Sequence, residues 1–157
     1  MYDPNEALKL ENQLCFPLYA AARKVVAAYT PYLKPLGLTY TQYITFMVLW
    51  EKDGLSVSEI CGRLMLDSGT ITPLLKKMEA SGWVERRRSK EDERSVQIYL
   101  TESGRAMKED VADIPQKMGC CISLEAEDAE RLYGLLYDLL AQEIRVEEQE
   151  KDYGKES

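Results

Sequence analysis

The segment that decides the fold is Leu66–Gly104, which reads LDSGTITPLLKKMEASGWVERRRSKEDERSVQIYLTESG. Asp67 or Ser68 can cap the start of a helix, because both side chains accept hydrogen bonds from free backbone amides. Gly82 supplies a C-terminal stop. Apolar residues recur at helical spacing between these ends, at Ile71, Leu74, Leu75 and Met78. The pattern predicts an amphipathic helix, in which Pro73 removes one backbone hydrogen bond or bends the second turn.

Two segments after this helix predict a β-hairpin. Residues 83–88, WVERRR, have the composition of a strand, and residues 95–101, SVQIYLT, alternate buried and exposed residue types. The polar segment SKEDER at 89–94 is expected to form the turn between them.

A short helix is predicted before the amphipathic one. Ser56 and Glu59 have the spacing of a capping box, and Ile60 lies on the apolar side of the helix that follows. We expect this helix to end near Met65. Two helices joined by about three residues form a helix-turn-helix, and the hairpin behind it completes a winged helix.

The flanking segments predict further helices. The first part of the chain divides near residues 31–37, and Thr101 can cap a helix that continues to about Gln116. Ser123 can cap a last helix. The apolar positions of that helix are Leu132, Leu135, Leu136, Leu139, Leu140 and Ile144.

The predicted fold class is therefore mainly α with a small β-hairpin. We expect a single domain over residues 1–144, with a winged-helix lobe at about 40–101. Helices at about 8–36 and 102–144 would form a dimerisation arm. The charged segment 145–157 is too polar to fold alone and is expected to be disordered.

The charge of the chain is distributed unevenly, although it totals −7. Residues 67–108 carry nine basic and seven acidic side chains, whereas residues 109–157 carry five basic and 14 acidic ones. Arg86–Lys90 alone places four basic groups in five residues. DNA, if bound, is therefore expected to contact the middle of the chain.

The residue types present exclude several classes of enzyme. The chain has no histidine, so the usual zinc sites lack ligands and Ser-His-Asp or Cys-His catalysis is impossible. It has four cysteines without a Cys-x-x-Cys pair, no signal peptide and no apolar run of membrane-spanning length. We expect a cytoplasmic protein with reduced thiols, and we predict no metal, cofactor or membrane contact.

The recognition helix and the hairpin supply the candidate DNA contacts. Short side chains at the start of the helix let its backbone approach a groove, and lysines further along can reach phosphates. The candidates are Asp67, Ser68, Gly69, Thr70, Thr72, Lys76 and Lys77 from the helix and Arg86, Arg88 and Arg94 from the hairpin. Alternatively, these residues form the solvated face of an ordinary α+β domain.

The segment quoted above resembles the helix-turn-helix and wing of the MarR transcriptional regulators, including the D-x-R of the wing turn. LENQLCFPLY at 10–19, with Tyr29 and LTYTQY at 38–43, is similar to the organic hydroperoxide resistance repressors of that family. The likeness covers about Leu10–Ile114. It implies a homodimer held by terminal helices that reads an inverted repeat in double-stranded DNA, with the recognition helix in a major groove and Arg94 in a minor groove.

Cys15 has two interpretations. On a helix with Leu14 and Leu18, a cysteine is ordinarily buried packing. Pro17, however, suits a first helical turn, which would place the sulfur at the helix N-terminus, where the thiolate is favoured. Full ionisation of the Cys15 thiol raises its rate of reaction about tenfold. Lowering the pKa of the thiol by about three pH units, however, reduces the nucleophilicity of the thiolate about thirtyfold. A fast peroxide sensor therefore also needs donors that stabilise the leaving alkoxide.

The resemblance implies roles for the residues around this thiol. Cys15 would react with the peroxide, and Tyr29 and Tyr40 would hydrogen-bond its sulfur, with Tyr19 nearby. The tyrosines alternatively line a dimer interface. After Cys15 is oxidised to a sulfenic acid, a second thiol would convert it to a disulfide. That thiol would come from the other subunit or from a low-molecular-weight compound. Cys120 matches the resolving position of the family, and its neighbour Cys121 is the second candidate for the resolving thiol.

The sequence thus predicts a repressor that binds palindromic operator DNA as a reduced dimer and dissociates when an organic hydroperoxide oxidises Cys15. One alternative is a regulator of the same family that binds a small aromatic ligand, with Cys15 incidental. Another is a thiol peroxidase, which the DNA-reading segment and the lack of Cys-x-x-Cys argue against. Cys61, on the buried side of its helix, is expected only to pack.

Overall fold

The computed structural model describes residues 3–88 and 95–142. The chain consists of two compact units, Met1–Ile122 and Ser123–Ser157. The helices of the first unit are α1 (Pro4–Ala7), α2 (Cys15–Ala28), α3 (Thr30–Leu33), α4 (Tyr40–Glu51), α5 (Val57–Leu64), α6 (Ser68–Ala80), α7 (Glu102–Asp110) and α8 (Ile114–Cys121), with 3₁₀ turns at Leu10–Asn12 and Lys34–Leu36. Its strands are β1 (Leu55–Ser56), β2 (Val84–Arg88) and β3 (Val96–Leu100). The second unit contains α9 (Ala126–Leu140), and the predicted domain boundaries stay a prediction.

A three-stranded antiparallel sheet in the order β1-β3-β2 accompanies the helix-turn-helix. β2 pairs with β3 along its whole length, which confirms the predicted hairpin. Leu55 of β1 pairs with Ile98 of β3, so the segment before α5 adds a third strand. The sequence did not reveal β1, because two residues are too few to show alternation. The predicted turn at 89–94 lies outside the described residues.

Side-chain caps set the helix ends around the helix-turn-helix. Ser56 and Glu59 form the predicted capping box of α5, in which Ser56 Oγ accepts from the Glu59 amide at 3.2 Å. This helix ends at Met65, whose backbone is left-handed with φ 53°. Asp67 then caps α6 by accepting from the Thr70 amide at 2.9 Å. These contacts confirm the predicted boundaries of both helices.

The amphipathic helix α6 forms despite its internal proline. Pro73 lies inside the helix, which continues to Ala80, so the proline removes one backbone donor without ending the helix. All four residues of the predicted apolar side are buried, namely Ile71, Leu74, Leu75 and Met78. Because this side of α6 is buried, the opposite side of the helix faces outward.

The hydrophobic core of the first unit joins α4, α5, α6 and the sheet. Its fully buried members include Phe46, Ile60, Ile71, Leu75, Met78 and Ile98. The Phe46 ring stacks on Trp50 with centroids 5.1 Å apart and lies 5.6 Å from the Trp83 ring. Phe46 therefore connects α4 to the residue that precedes the wing.

Gly104 lies where α7 approaches the start of the wing. A Cβ there would be 2.1 Å from the Trp83 carbonyl oxygen, and the Gly104 carbonyl accepts a hydrogen bond from Trp50 Nε1 at 3.0 Å. Gly104→Ala is expected to lower the free energy of unfolding by about 3 kcal/mol, measured by urea denaturation, because the backbone must move. Gly62→Ala is the matched control, since its Cβ meets no described atom within 4 Å. Equal losses in both variants would contradict this explanation.

The helix predicted from Thr101 to about Gln116 is in fact two helices. α7 ends at Asp110 and α8 begins at Ile114. Pro115 explains the break, because it has no backbone N–H with which to continue α7 but fits the first turn of α8.

The last helix begins later than predicted. Glu125, not Ser123, precedes α9, and it makes no side-chain cap bond. Glu127 and Asp128 stabilise this start, because carboxylates in the first turn oppose the positive end of the helix. Ile144 and the predicted tail lie outside the described residues. Among the helices that are described, none combines the length and the apolar character needed to cross a membrane.

Candidate DNA interface and thiol site

The first turn of α6 is organised around Asp67. Its Oδ2 accepts from the Thr70 hydroxyl at 2.8 Å, and its Oδ1 accepts from the Thr70 amide at 2.9 Å. Both bonds lower the pKa of Asp67 below its usual value, and the bond from the Thr70 hydroxyl has the larger effect. The carboxylate is therefore charged and engaged as a cap. The exposed Ser68 and Gly69 and the half-buried Thr72 complete the tip of the helix.

The basic candidates are distributed over α6 and the wing. Lys76 and Lys77 are exposed on α6. Arg86 is half-buried and Arg88 is exposed, and they share one face of β2 because alternate strand residues point the same way. Arg94, predicted at the hairpin tip, lies outside the described residues.

Arg87 points to the opposite face of the sheet. Its Nη2 donates to Glu85 Oε2 at 2.6 Å, and its guanidinium lies 4.8 Å from the centre of the Tyr99 ring. The hydrogen bond to Glu85 raises the pKa of Arg87 further. The basic cluster of the sequence is thus divided, and Arg87 is paired on the side away from Arg86 and Arg88.

Glu79, near the end of α6, positions Arg86. Glu79 Oε1 accepts from the Arg86 amide at 3.2 Å, and Oε2 lies 3.9 Å from Arg86 Nη1. Within the described part of the chain, Arg86 Nε is buried without a hydrogen-bond partner. Glu79 was not among the residues predicted from the sequence, because nothing local links a helix end to the following strand.

An open cavity of about 530 Å³ lies between α5, α6 and the wing. Its polar lining consists of Ser56, Ser58, Ser68, Thr72, Arg86 and Ser95. Hydroxyl and guanidinium groups are typical ligands of DNA phosphates. Three of these side chains, Ser56, Ser58 and Ser95, were not among the predicted contacts.

Three tyrosines pack together where α2 ends and α4 begins. The ring centroids of Tyr29 and Tyr40 are 4.9 Å apart, and Tyr43 lies 5.8 Å from Tyr29 and 6.5 Å from Tyr40. Burial raises the pKa of Tyr40, and burial with the neighbouring tyrosines raises that of Tyr43 to about 12. Both hydroxyls therefore keep their protons at neutral pH and can donate. Tyr43 was not among the predicted site residues, although its spacing from Tyr40 places both on one helix face.

An apolar cavity of about 440 Å³ opens beside Tyr40. Val26, Leu33 and Leu38 form much of its wall. Tyr40 thus lines a space that can hold a hydrocarbon group.

Cys15 is the first residue of α2 and is exposed in the single chain. The interpretation that Cys15 is buried within its own chain is therefore wrong, because no residue of α2 is buried. Pro17 follows in the first turn, and Tyr19, one turn on, accepts from Arg23 Nη1 at 3.3 Å. Tyr29 follows the far end of the helix. Fourteen residues at about 1.5 Å each separate it from Cys15 by about 21 Å, so the two do not meet within one chain.

The other cysteines differ in their surroundings. Cys120 and Cys121 end α8 and are both exposed. Cys121 Sγ lies 3.9 Å from Tyr32 Oη. Cys61 is partly buried against the core, which confirms its predicted packing role.

Comparison with known proteins identifies relatives along most of the chain. Residues 27–111 match the family model described as Transcriptional regulator SarA/Rot. The chain is 48% identical over 133 residues to the organic hydroperoxide resistance transcriptional regulator of Bacillus subtilis (strain 168), which covers 85% of this chain and 90% of that protein.

Solved structures show the same similarity. Reduced AbfR bound to DNA matches with a TM-score of 0.72 and 34% identity, over 88% of this chain and 96% of AbfR. AbfR, from Staphylococcus epidermidis, has also been solved with a disulfide formed. Wild-type MarR from E. coli matches with a TM-score of 0.63 and 26% identity, over 82% of this chain and 97% of MarR.

The winged helix, the basic residues of α6 and the wing, and these relatives define a DNA-binding transcriptional regulator of the MarR family. Within that family, the chain belongs to the organic hydroperoxide resistance regulators. The family and the fold class predicted from the sequence are both confirmed.

Proposed function

We propose that this protein is a dimeric repressor that binds palindromic operator DNA while Cys15 is reduced and releases it when an organic hydroperoxide oxidises Cys15. The separation of Cys15 and Tyr29 along α2 carries the proposal. Because about 21 Å lies between them, Cys15 can meet Tyr29 and Tyr40 only in a second copy of the chain. Two α2 helices crossing antiparallel would complete two such sites at once.

Exposed apolar side chains support this dimer. In α2 and just before it, they are Leu14, Phe16, Leu18, Val25 and Val26. In α9, they are Leu132, Tyr133, Leu135, Tyr137 and Leu140. Apolar helix surfaces of this extent are typical of protein contacts. The dimerisation role of these helices rests on this exposure.

At the completed site, the Cys15 thiolate attacks the terminal oxygen of the hydroperoxide. An S–O bond forms as the O–O bond breaks, so the sulfur becomes a sulfenic acid and the alkoxide takes up a proton to leave as an alcohol. Hydroxyl donors from Tyr29 and Tyr40 stabilise the sulfur and the developing alkoxide, and the apolar cavity beside Tyr40 accommodates the organic group.

The DNA contacts proposed for each subunit lie on α6 and one face of the wing. In the dimer, the two α6 helices enter successive major grooves of an inverted repeat. The proposed contact residues are Asp67, Ser68, Gly69, Thr70, Thr72, Lys76, Lys77, Arg86, Arg88 and Arg94. Asp67 contributes through its cap, and the basic residues contact phosphates.

A gel-shift titration tests this function directly. Reduced protein is titrated against the DNA upstream of its own gene at several salt concentrations, before and after one equivalent of cumene hydroperoxide or hydrogen peroxide. We expect a slope of log affinity against log salt of roughly −5, from about three phosphate contacts per subunit. Cumene hydroperoxide should release the DNA, and dithiothreitol should restore binding. Either a slope near zero or equal affinity for non-palindromic DNA contradicts the DNA-binding part.

Replacing both Tyr29 and Tyr40 with phenylalanine tests the sulfur's hydrogen bonds. The double variant is expected to oxidise about 100-fold more slowly, since each hydrogen bond that stabilises the developing alkoxide in the transition state contributes about 1.4 kcal/mol or more. The rate of Cys15 sulfenic acid formation is measured by dimedone trapping and mass spectrometry. Tyr99→Phe removes a hydroxyl from the outer wing and serves as the matched control. Equal rates in all three proteins would rule out this role for the two tyrosines.

A second cavity favours one rival function. It has a volume of about 460 Å³, lies between α4 and α7–α8, and is lined by Tyr43, Met47, Trp50 and Pro115 among others. A regulator using it would release DNA with a phenolic carboxylate such as salicylate, without peroxide and in Cys15→Ser. A thiol peroxidase would instead consume many equivalents of peroxide with a dithiol, which a peroxide-consumption assay of the isolated protein measures.

A further inference from the structure

The thiol of Cys121 has a defined hydrogen-bond partner. Its Sγ lies 3.9 Å from Tyr32 Oη. Either atom can donate while Cys121 is a thiol, whereas a Cys121 thiolate can only accept from the Tyr32 hydroxyl. This contact is the main cause that raises the pKa of Tyr32. Lys117 lies one turn before Cys121 on α8, with Nζ 5.5 Å from the Tyr32 ring centre and 2.5 Å from Asp113. A hydroxyl and an ammonium are thus on the same side of α8 as the Cys121 sulfur.

Cys120 lies on a different side of the same helix. The buried Ile114 and Met118 define the inward face of α8. At about 100° per residue, Cys121 lies about 20° from Ile114 around the helix axis, whereas Cys120 lies about 120° away. Cys121 therefore borders the packed face, and Cys120 points away from it.

Tyr32 connects Cys121 to the tyrosine cluster. It follows Tyr29 by one helical turn, and its amide donates to the Tyr29 carbonyl at 3.0 Å. Side chains at this spacing share a face, with Cβ atoms about 5–6 Å apart. Cys121 therefore lies on the side of the molecule where Tyr29 and Tyr40 would receive the partner subunit's Cys15.

We propose that Cys121, rather than Cys120, is the thiol that resolves the sulfenic acid on the partner subunit's Cys15. The inference rests on the proposed function, and it assigns to Cys121 the resolving role that the family resemblance gave to Cys120. The Cys121 thiolate attacks the Cys15 sulfur, the S–S bond forms as the S–O bond breaks, and the departing hydroxide takes up a proton to become water. The hydroperoxide is thus reduced to alcohol and water, and two thiols are oxidised to one disulfide.

The disulfide must join two subunits. Cys121 contacts Tyr32, just beyond the end of α2 that is farther from Cys15. Within one chain, the two cysteines are therefore separated by on the order of 20 Å, whereas disulfide-bonded cysteines have Cα atoms less than about 7 Å apart.

Cys120→Ser and Cys121→Ser form a matched pair that tests the assignment. Each reduced variant receives one equivalent of cumene hydroperoxide per chain, and cross-linked dimer is followed on non-reducing gels. Cys120→Ser is expected to cross-link at the unmodified rate, and peptide mapping should find Cys15 joined to Cys121. Cys121→Ser is expected to cross-link at least about tenfold more slowly and to accumulate dimedone-reactive Cys15, because the nearer thiol is missing.

Tyr32→Phe provides a separate readout of the positioning residue. The rate of Cys15 sulfenic acid formation should be unchanged, whereas the disulfide should form about tenfold more slowly without the hydroxyl. A purely structural role for Tyr32 would leave the ratio of these two rates unchanged.

The remaining outcomes separate this inference from the proposed function. Loss of the cross-link in Cys120→Ser, or equal rates in the two serine variants, overturns the inference. Dimedone-reactive Cys15 without any cross-link in the unmodified protein also overturns it, since a small thiol must then resolve the sulfenic acid. If Cys15 neither cross-links nor reacts with dimedone, the proposed function itself fails.

Discussion

Cys15→Ser is expected to bind operator DNA within about twofold of the unmodified affinity, because exposed substitutions change free energies by about 0.5 kcal/mol. Organic hydroperoxide should weaken binding by the unmodified protein about 100-fold, near the upper range of coupling between sites. The variant should show no weakening, because serine has no oxidisable sulfur. A filter-binding titration before and after cumene hydroperoxide measures both quantities.

The size of the expected loss follows from the geometry of two-site binding. Two recognition helices must enter grooves about 34–36 Å apart, so a shift of a few ångströms in their spacing removes most contacts of one half-site. Cys61→Ala is the control, because Cys61 packs in the DNA-reading unit. Its peroxide response should be retained. If peroxide still released DNA from Cys15→Ser but no longer released it from Cys61→Ala, the sensing thiol would not be Cys15.

Phe46→Ala is expected to lower the free energy of unfolding by about 3–5 kcal/mol, the usual range for truncating a buried phenylalanine. Phe46 is fully buried and contacts both tryptophan rings, so the lost ring leaves a cavity between α4 and the wing. Urea denaturation followed by far-ultraviolet circular dichroism, at one fixed protein concentration, measures the change.

Met47→Ala is the neighbouring control on the same helix. Met47 is 36% exposed, so its truncation should cost about 1 kcal/mol or less. Equal losses in the two variants would contradict the central position of Phe46 in the core.

The helix-turn-helix could be predicted because its signals are local. The Ser56 capping box, the Asp67 cap and the apolar stripe of α6 each act within about one or two helical turns. The same holds for the hairpin and for the separation of Arg87 from Arg86, which strand alternation implies. These features needed no knowledge of distant contacts.

The rest of the site depends on contacts between elements that are far apart in sequence. Glu79 holds Arg86 across the end of α6, and Tyr32 meets Cys121 across 89 positions of the chain. The side of α8 on which Cys121 lies depends on the break at Pro115, which the sequence-based helix did not include. No pattern within a single element contains this information.

Both tryptophans of the chain, Trp50 and Trp83, lie against Phe46 in the winged helix. The part of the chain before Trp50, which includes Cys15 and Tyr29, contains none, although Tyr40 and Tyr43 share α4 with Trp50. Intrinsic tryptophan fluorescence therefore originates entirely in the lobe that reads DNA. After a rapid mix with hydroperoxide, the emission signal would time the arrival of the structural change at that lobe, while dimedone trapping times the chemistry at sulfur. The molecule thus carries an optical reporter of its own switch, without any attached dye.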